Sequence, residues 1–458
     1  MTLAAFSVLF AAVVAGYLLN RQAAAAIRTR GASLHSLVGF HAAYSALLVL
    51  LPGFVVILLW LMLQGGLIDA AVMGGIPADA VAADDDSAYR LVLAEIKSIA
   101  RGQVFGTPEP WKIEAAERWT ALYATSRTAM VVAVGLLSLG LLIFARARVS
   151  ADFRARQSVE AIVLGLMIAC STLAIFTTLG IVLSLMFESV RFFQKVPVTE
   201  FLFGLRWEPQ IAIRADQVAG AGAFGVIPVI LGSVVIMVIA LVVAVPIGLM
   251  SAIYLNEFAT QRFRKLAKPV LEILAGVPTI VYGFFAILVV APFLRGAGQA
   301  SGLEVSPNTA LAAGICMAIM LIPFISSFAD DALSAVPRSL RDGSLALGAT
   351  RAETMLKVMF PAAIPGIVGG VLLAVSRAIG ETMIVVMAAG IIARLTINPL
   401  DSVTTVTVQI VTLLIGDTEF DNPKTLAAFA LGMLLFVITL GINVLALRIV
   451  RKYRELYD

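Results

Sequence analysis

Long apolar runs, separated by short basic or polar stretches, dominate the chain. About 20 apolar residues cross the roughly 30 Å hydrocarbon core of a bilayer. That ruler predicts nine spans: Leu3–Leu19, Val38–Leu63, Thr128–Phe144, Val159–Phe187, Phe224–Tyr254, Pro269–Leu294, Asn308–Phe328, Ala363–Ile392 and Leu426–Val450. Several contain proline, such as Pro246, Pro278 and Pro323, which membrane helices tolerate at packing points and kinks. Basic residues then set an expected orientation. Arg21, Arg28 and Arg30 follow the first span, and Arg146, Arg148, Arg154 and Arg156 the third. Arg262, Arg264, Lys265 and Lys268 follow the fifth, and Arg338, Arg341, Arg351 and Lys357 the seventh. Arg448, Arg451, Lys452 and Arg454 close the chain. Every second connection is basic, which the positive-inside rule requires if the N-terminus is outside and the C-terminus inside. The alternate connections hold Asp84-Asp85-Asp86 and the short stretch near 296–306. Arginines follow the first run and none precedes it, so it reads as a retained anchor, not a cleaved signal.

Composition narrows the class. Of 458 residues, 60% are hydrophobic and 14% charged, against roughly 45–50% and about 25% in soluble domains. A soluble enzyme, a disordered chain and a nucleic-acid binder are excluded. The net charge of +4 follows from the basic inner loops and needs no anionic partner. Cys170 and Cys316 lie in apolar runs and read as packing residues. The two histidines, His35 and His41, cannot form HExxH and read as interfacial or packing residues. No lysine follows a glycine, so the phosphate-cradling GxxxxGK[ST] is missing and the chain is not expected to hydrolyse ATP itself. Gly220-Ala-Gly-Ala-Phe-Gly225 fits GxGxxG but precedes a membrane span and lacks the βαβ context, so it reads as a flexible lead-in. No catalytic residue, metal or cofactor is expected.

Two regions are expected. Residues 1–157 carry three spans and an outside segment, about 65–127, with helix-like pieces at 89–99 and 112–123. Residues 158–458 carry six spans that start and end inside. No internal repeat is evident.

The longest inside loop, 330–361, reads Asp342-Gly343-Ser344, three residues, Gly348, nine residues, then Val358-Met359-Phe360-Pro361. This resembles the loop signature of ATP-binding-cassette importer permeases: EAA, three residues, Gly, nine residues, I-x-L-P. The spacing, Gly348 and Pro361 are kept, while Asp342, Gly343, Ser344, Val358 and Phe360 depart from it. Gly348 allows a sharp turn, Ala352–Val358 reads as a second helical piece, and Pro361 as the restart into span eight. Such a helix–turn–helix can dock as a knob into a partner. The resemblance implies that the partner is the ATPase subunit, whose closure the knob transmits.

Further stretches narrow the resemblance: Phe201 to Pro209 (FxxGxxWxP), Ile253 to Phe258, Gly276 to Gly283, and Arg377-Ala-Ile-Gly380-Glu381-Thr382. From Glu188 onward the chain resembles the C-type permease subunit of phosphate importers. FxxGxxWxP separates it from the related A-type. The resemblance implies an all-helical permease of the bacterial plasma membrane. A six-helix type I importer core would carry a three-helix N-terminal extension. It further implies an ATPase pair, a second related permease subunit, an extracytoplasmic phosphate-binding protein and a path through Arg377, Glu381 and Thr382.

The residues point to an anion independently. Arg377 lies near the middle of the expected span Ala363–Ile392, where an arginine costs roughly 2.5–3.5 kcal/mol to insert. Glu381 is four residues on, one turn away on the same helical face. Two readings stay open: a mutual ion pair that makes both residues insertable, or a phosphate site in which Glu381 holds the Arg377 fork. Three rival functions remain. A permease for sulfate, molybdate or tungstate would share the fold. An ion-coupled transporter would show repeated halves. A scaffold or receptor would leave Arg377 without purpose.

Overall fold

A computed structural model describes residues 2–29, 33–77, 86–103, 106, 108–210, 222–415 and 421–454. Arg30, Asp84, Asp85, Gly220 and Ala221, all named above, lie outside the described residues. Among the described residues nine helices are long and apolar enough to cross a membrane. The chain divides into two compact units, Met1–Phe176 and Thr177–Asp458. The division falls within one long helix, whereas the expected boundary was at 157/158.

The first unit is built on α1 (Thr2–Thr29), α2 (Val38–Met73) and α4 (Pro110–Ala147), which pack on one another. Their seam holds Ala5, Leu9, Val49, Ile57, Met130 and Val134, all buried. The expected helical piece at 89–99 is α3 (Asp86–Ala100), which lies against α4 through Ile96, Ala115 and Ala116. The expected piece at 112–123 is the first part of α4 itself, continuous with span three. Asp69 accepts from Lys97 (2.6 Å) and from the Trp119 indole (3.1 Å), and Lys112 donates to Glu95 at 2.9 Å. These pairs order the segment between the second and third spans. His41 is buried against the Phe153 ring. Helix α5 (Ala155–Lys195) follows, and most of its length is exposed apolar surface, as a helix facing lipid must be.

In the second unit a short helix, α6 (Val198–Phe203), leads to an antiparallel pair, β1 (Trp207–Glu208) and β2 (Ala223–Phe224), in which Trp207 faces Phe224. The FxxGxxWxP stretch is this clasp. Phe201 and Trp207 are buried with Phe192 and Phe224. The backbones of Gly204 and Gly225 approach too closely for a β-carbon at either position.

Helix α7 (Ile227–Ile253), widened into a π turn at Tyr254–Phe258, packs along α11 (Ala310–Ala335). Between them in sequence lie α8 (Gln261–Gly276), α9 (Thr279–Phe285), a second π turn (Ala286–Val290) and α10 (Ala291–Ala300). Helix α11 is the most enclosed of the spans. Small residues let its neighbours approach, since lipid supplies no hydrophobic drive between helices. Gly314 meets Ile239 of α7, and Gly248 of α7 meets Ile325 of α11. After α11 come α12 (Arg338–Ala346), α13 (Arg351–Thr354), a third π turn (Met355–Met359) and α14 (Phe360–Ile379). Next are α15 (Met383–Ala388), α16 (Val406–Leu414) and α17 (Pro423–Arg454). Gly366 and Gly370 of α14 abut Ala332 and Phe328 of α11.

Three expectations need correction. The sixth span starts at Thr279, not Pro269, because the chain turns at Val277–Pro278 and α8 is a separate amphipathic helix with no buried residue. The eighth runs Arg351–Ile379, not Ala363–Ile392. Pro361 does not restart a helix. It sits just after the third π turn in a continuous one, where widened hydrogen bonding accommodates its missing N–H. The connection between the seventh and eighth spans shrinks accordingly to 336–350.

Gly314→Val should lower stability by about 1–3 kcal/mol through overpacking against Ile239. Gly441→Ala, where a β-carbon meets nothing within 4 Å, should not. Thermal unfolding of the two variants in detergent distinguishes them.

Candidate functional site

The RAIGET stretch lies at a break between helices. Helix α14 ends at Ile379 and Gly380 caps it. Glu381 and Thr382 form the corner before α15. The Arg377 and Glu381 side chains therefore do not share a helical face, and they form no ion pair. Glu381 is 9% exposed. Its carboxylate accepts from the backbone N–H of Met383 (3.1 Å) and Ile384 (3.5 Å), capping α15. Its own carbonyl accepts from the Thr407 hydroxyl at 2.8 Å. The Thr382 hydroxyl donates to the Gly380 carbonyl at 3.3 Å. The mutual ion pair therefore fails, and so does the expectation that Glu381 holds the Arg377 fork, because its carboxylate is taken by the Met383 and Ile384 amides.

Arg377 is exposed and has no carboxylate partner among the described residues. Side chains on a helix lean toward its N-terminus, which carries the guanidinium back from the end of α14. It lies over the Phe324 ring, 5.8 Å from the centroid, and Phe324 is near the midpoint of α11. Arg377 is thus close to the end of its own helix while its charge sits near the middle of α11. Phe324 also lines a pocket of about 230 Å³ between α8 and α11, with Arg264, Lys268, Glu272 and Asp330.

After α15 the chain runs as irregular backbone from Ala389 to Thr405 and covers the start of α11. Ala310 N–H donates to the Asp401 carbonyl (3.0 Å), Leu311 N–H to Pro399 (2.8 Å), and Thr309 N–H to Ala388 (3.0 Å). The Thr309 hydroxyl accepts from Ala312 N–H at 3.0 Å. Free amides at a helix N-terminus need such partners. Gln409 of α16 holds the same segment. Its amide donates to the Ile391 carbonyl (2.8 Å) and the Thr404 hydroxyl (3.0 Å), and its oxygen accepts from the Trp207 indole (2.8 Å). Sequence reasoning missed Gln409. Its one signal was an amide inside the apolar Val406–Leu414 run.

The loop residues gather at the opposite end of α11. Asp342 and Gly343 are exposed on α12, and Ser344 is half-buried, its hydroxyl 3.0 Å from that of Thr354. Gly348 has φ +89°. Ala349 N–H donates to the Ser344 carbonyl (3.2 Å) and Gly348 N–H to Leu345 (3.0 Å), the paired bonds of a Schellman turn. Leu347 at the tip is 92% exposed, an apolar side chain offered outward from a rigid turn. Thr350 and Glu353 cap the next helix reciprocally. Pro361 lies one π turn beyond and does not join this tip.

A family model described as a phosphate ATP-binding cassette transporter matches residues 6–177. A second, described as the inner membrane component of binding-protein-dependent transport systems, matches 244–455. A probable ABC transporter permease protein of Bacillus subtilis, YqgH, is 34% identical over 273 residues, covering 59% of this chain and 84% of that one. The phosphate transport system permease proteins PstC of Mesorhizobium japonicum and Haemophilus influenzae are 34% and 33% identical. They cover 49% and 51% of this chain, and 72% and 78% of their own lengths. The chain belongs to the phosphate ABC transporter permease family. It is a permease subunit of a phosphate importer, a multi-pass inner membrane protein that works with an ATPase and a binding protein. This family decides against the other oxyanions, the ion-coupled transporter and the scaffold. The family's fold is the all-helical importer permease.

Gly348→Ala should cost about 1–2 kcal/mol locally, because a β-carbon is disfavoured in the left-handed region. Gly343→Ala, within α12, should gain roughly 0.5–1 kcal/mol. Amide hydrogen exchange over residues 338–350 should be faster in the first and slower in the second.

Proposed function

We propose that phosphate crosses along the face where Arg377 overlies Phe324, and that this face is completed by a second, related permease subunit. The supporting observation is an exposed arginine near the midpoint of α11 with no carboxylate partner among the described residues. An arginine at that depth facing lipid would bear its insertion cost of roughly 2.5–3.5 kcal/mol with nothing to offset it. A watery path between two subunits removes that cost, and the guanidinium fork fits phosphate oxygens. Glu381 acts here through the backbone, fixing the corner after Gly380, and Thr382 adds a hydroxyl at the same corner. Keeping the carboxylate away from Arg377 leaves the cation available to the anion.

The remaining roles follow. Asp342, Gly343, Ser344 and Gly348 present α12 to one of a pair of ATPase subunits, and Pro361 belongs to the helix behind them. A phosphate-binding protein delivers substrate at the other end, near the clasp of Trp207 and Phe224. The N-terminus and residues 65–127 are outside, and α12 and the C-terminus inside. Residues 1–157 are an extension to a six-span transport region, 158–458.

Arg377→Gln keeps hydrogen bonding and removes the charge. No buried partner is stranded, so membrane levels should stay normal while phosphate uptake falls by orders of magnitude. Glu381→Gln added to it should not restore uptake, because the positive charge is still missing. Substantial uptake by the double variant would place the path elsewhere.

Orientation is tested with a single cysteine at residue 345 in a chain carrying Cys170→Ser and Cys316→Ser. An impermeant thiol reagent should label it in inverted vesicles and not in intact cells. Labelling from outside would reverse the topology.

A further inference from the structure

The segment Ile253 to Phe258 runs from the last residue of α7 through its π turn. In the fold it is the π turn that ends α7, and such turns frequently mark functional sites. Two consecutive residues there reach different elements. Glu257, whose side chain is 5% exposed, accepts from Arg341 of α12 at 2.9 Å. Asn256 donates to Asp330 (2.8 Å) and to the Ser334 hydroxyl (3.0 Å), both on α11. Asp330, 8% exposed, is held in turn by Arg264 of α8 at 2.9 and 3.1 Å and by Lys268 at 2.9 Å.

These bonds form one connected chain. It begins on α12, passes through the π turn, and ends at Asp330, Arg264 and Lys268, which line the pocket beneath Phe324. Removing one partner of a buried pair leaves an uncompensated charge, so such pairs hold elements in register more strictly than apolar contacts do. Helix α12 has no buried residue, and apolar packing alone does not fasten it to the end of α7.

We propose that the Glu257–Arg341 pair is the strut that carries movement of α12 to the end of α7. From there Asn256 passes it to Asp330 and the inner mouth of the phosphate path. Glu257 and Arg341 are positioning residues and touch no substrate. The proposal rests on the assignment of α12 to the ATPase contact.

The test uses the whole importer in proteoliposomes: this chain, its permease partner, the ATPase pair and the binding protein. Phosphate taken up and ATP hydrolysed are measured together, per assembled complex. Glu257→Gln and Arg341→Gln should each lower uptake per ATP about tenfold, and the double variant should be no worse than either single. Arg341→Lys, which keeps the charge, should stay within about threefold of the parent. A strut that serves only folding lowers the amount of assembled complex and leaves uptake per ATP unchanged, and that result overturns the proposal. So do additive losses in the double variant, or an Arg341→Lys variant as poor as Arg341→Gln. Gly348→Asp in the same assay separates the two levels. Normal coupling there removes the ATPase-contact assignment itself. Uncoupling there with normal coupling in Glu257→Gln removes the strut alone.

Discussion

At membrane depth each backbone N–H and C=O must find a partner inside the protein, since lipid offers none. The second unit is arranged around one place where a helix cannot meet that demand alone. Helix α14 stops at Ile379, and the next 26 residues include only the six-residue helix α15. The exposed backbone is met from several directions. Glu381 caps α15, the free amides of α11 take the carbonyls of Ala388, Pro399 and Asp401, and Gln409 ties Ile391 and Thr404 to Trp207. The clasp of β1 and β2, the start of α11 and the end of α14 thereby become one hydrogen-bonded assembly. One consequence is that the Arg377 guanidinium stands near the broken end of α14 over Phe324, with no carboxylate partner among the described residues.

Helix α11 ties this assembly to the other end of the unit. Its start receives the irregular segment, its middle holds Phe324 under Arg377, and its last turns carry Asp330 and Ser334. Small residues at Gly314, Gly248, Gly366 and Gly370 let α7 and α14 lie close along it. Close packing of this kind transmits displacement, because a dense interior deforms little.

Much of this was legible in the chain. The apolar runs located the nine spans found among the described residues, though not the bounds of the sixth and eighth, since length and hydropathy are local properties. Gly348 was legible as the place of a sharp turn through the resemblance to the importer loop signature, and its φ is +89°. The break after Ile379 was not legible. Helical periodicity continues through Val386 and Met387, and Gly380 alone is too common in membrane helices to announce a stop. That single error placed Arg377 and Glu381 on one face and paired them. The three π turns were equally invisible, as an extra residue in a turn leaves no mark on composition. The partners of Glu257 and Asp330 lie 84 and 62 to 74 residues away in sequence, beyond any local pattern.

Charge placement is what the proposed second permease subunit would account for. In the second unit, the acidic residues Glu257 and Asp330 are nearly enclosed and matched to cations, while Arg377 is exposed and has no carboxylate partner among the described residues. Evolution of a single lipid-facing surface would select against the second arrangement, for the cost of a bare arginine is not recovered. A surface that closes against a homologous subunit has a different optimum. In the path proposed here, a cation on that surface would be hydrated when the path is open and meet phosphate when it is filled, and a fixed carboxylate beside it would compete with the substrate at every turnover. The corner at Gly380 resolves this. It turns the Glu381 carboxylate onto the amides of Met383 and Ile384, where a negative charge also favours the start of α15. One residue thus stabilises the break after α14 and keeps its own charge away from Arg377.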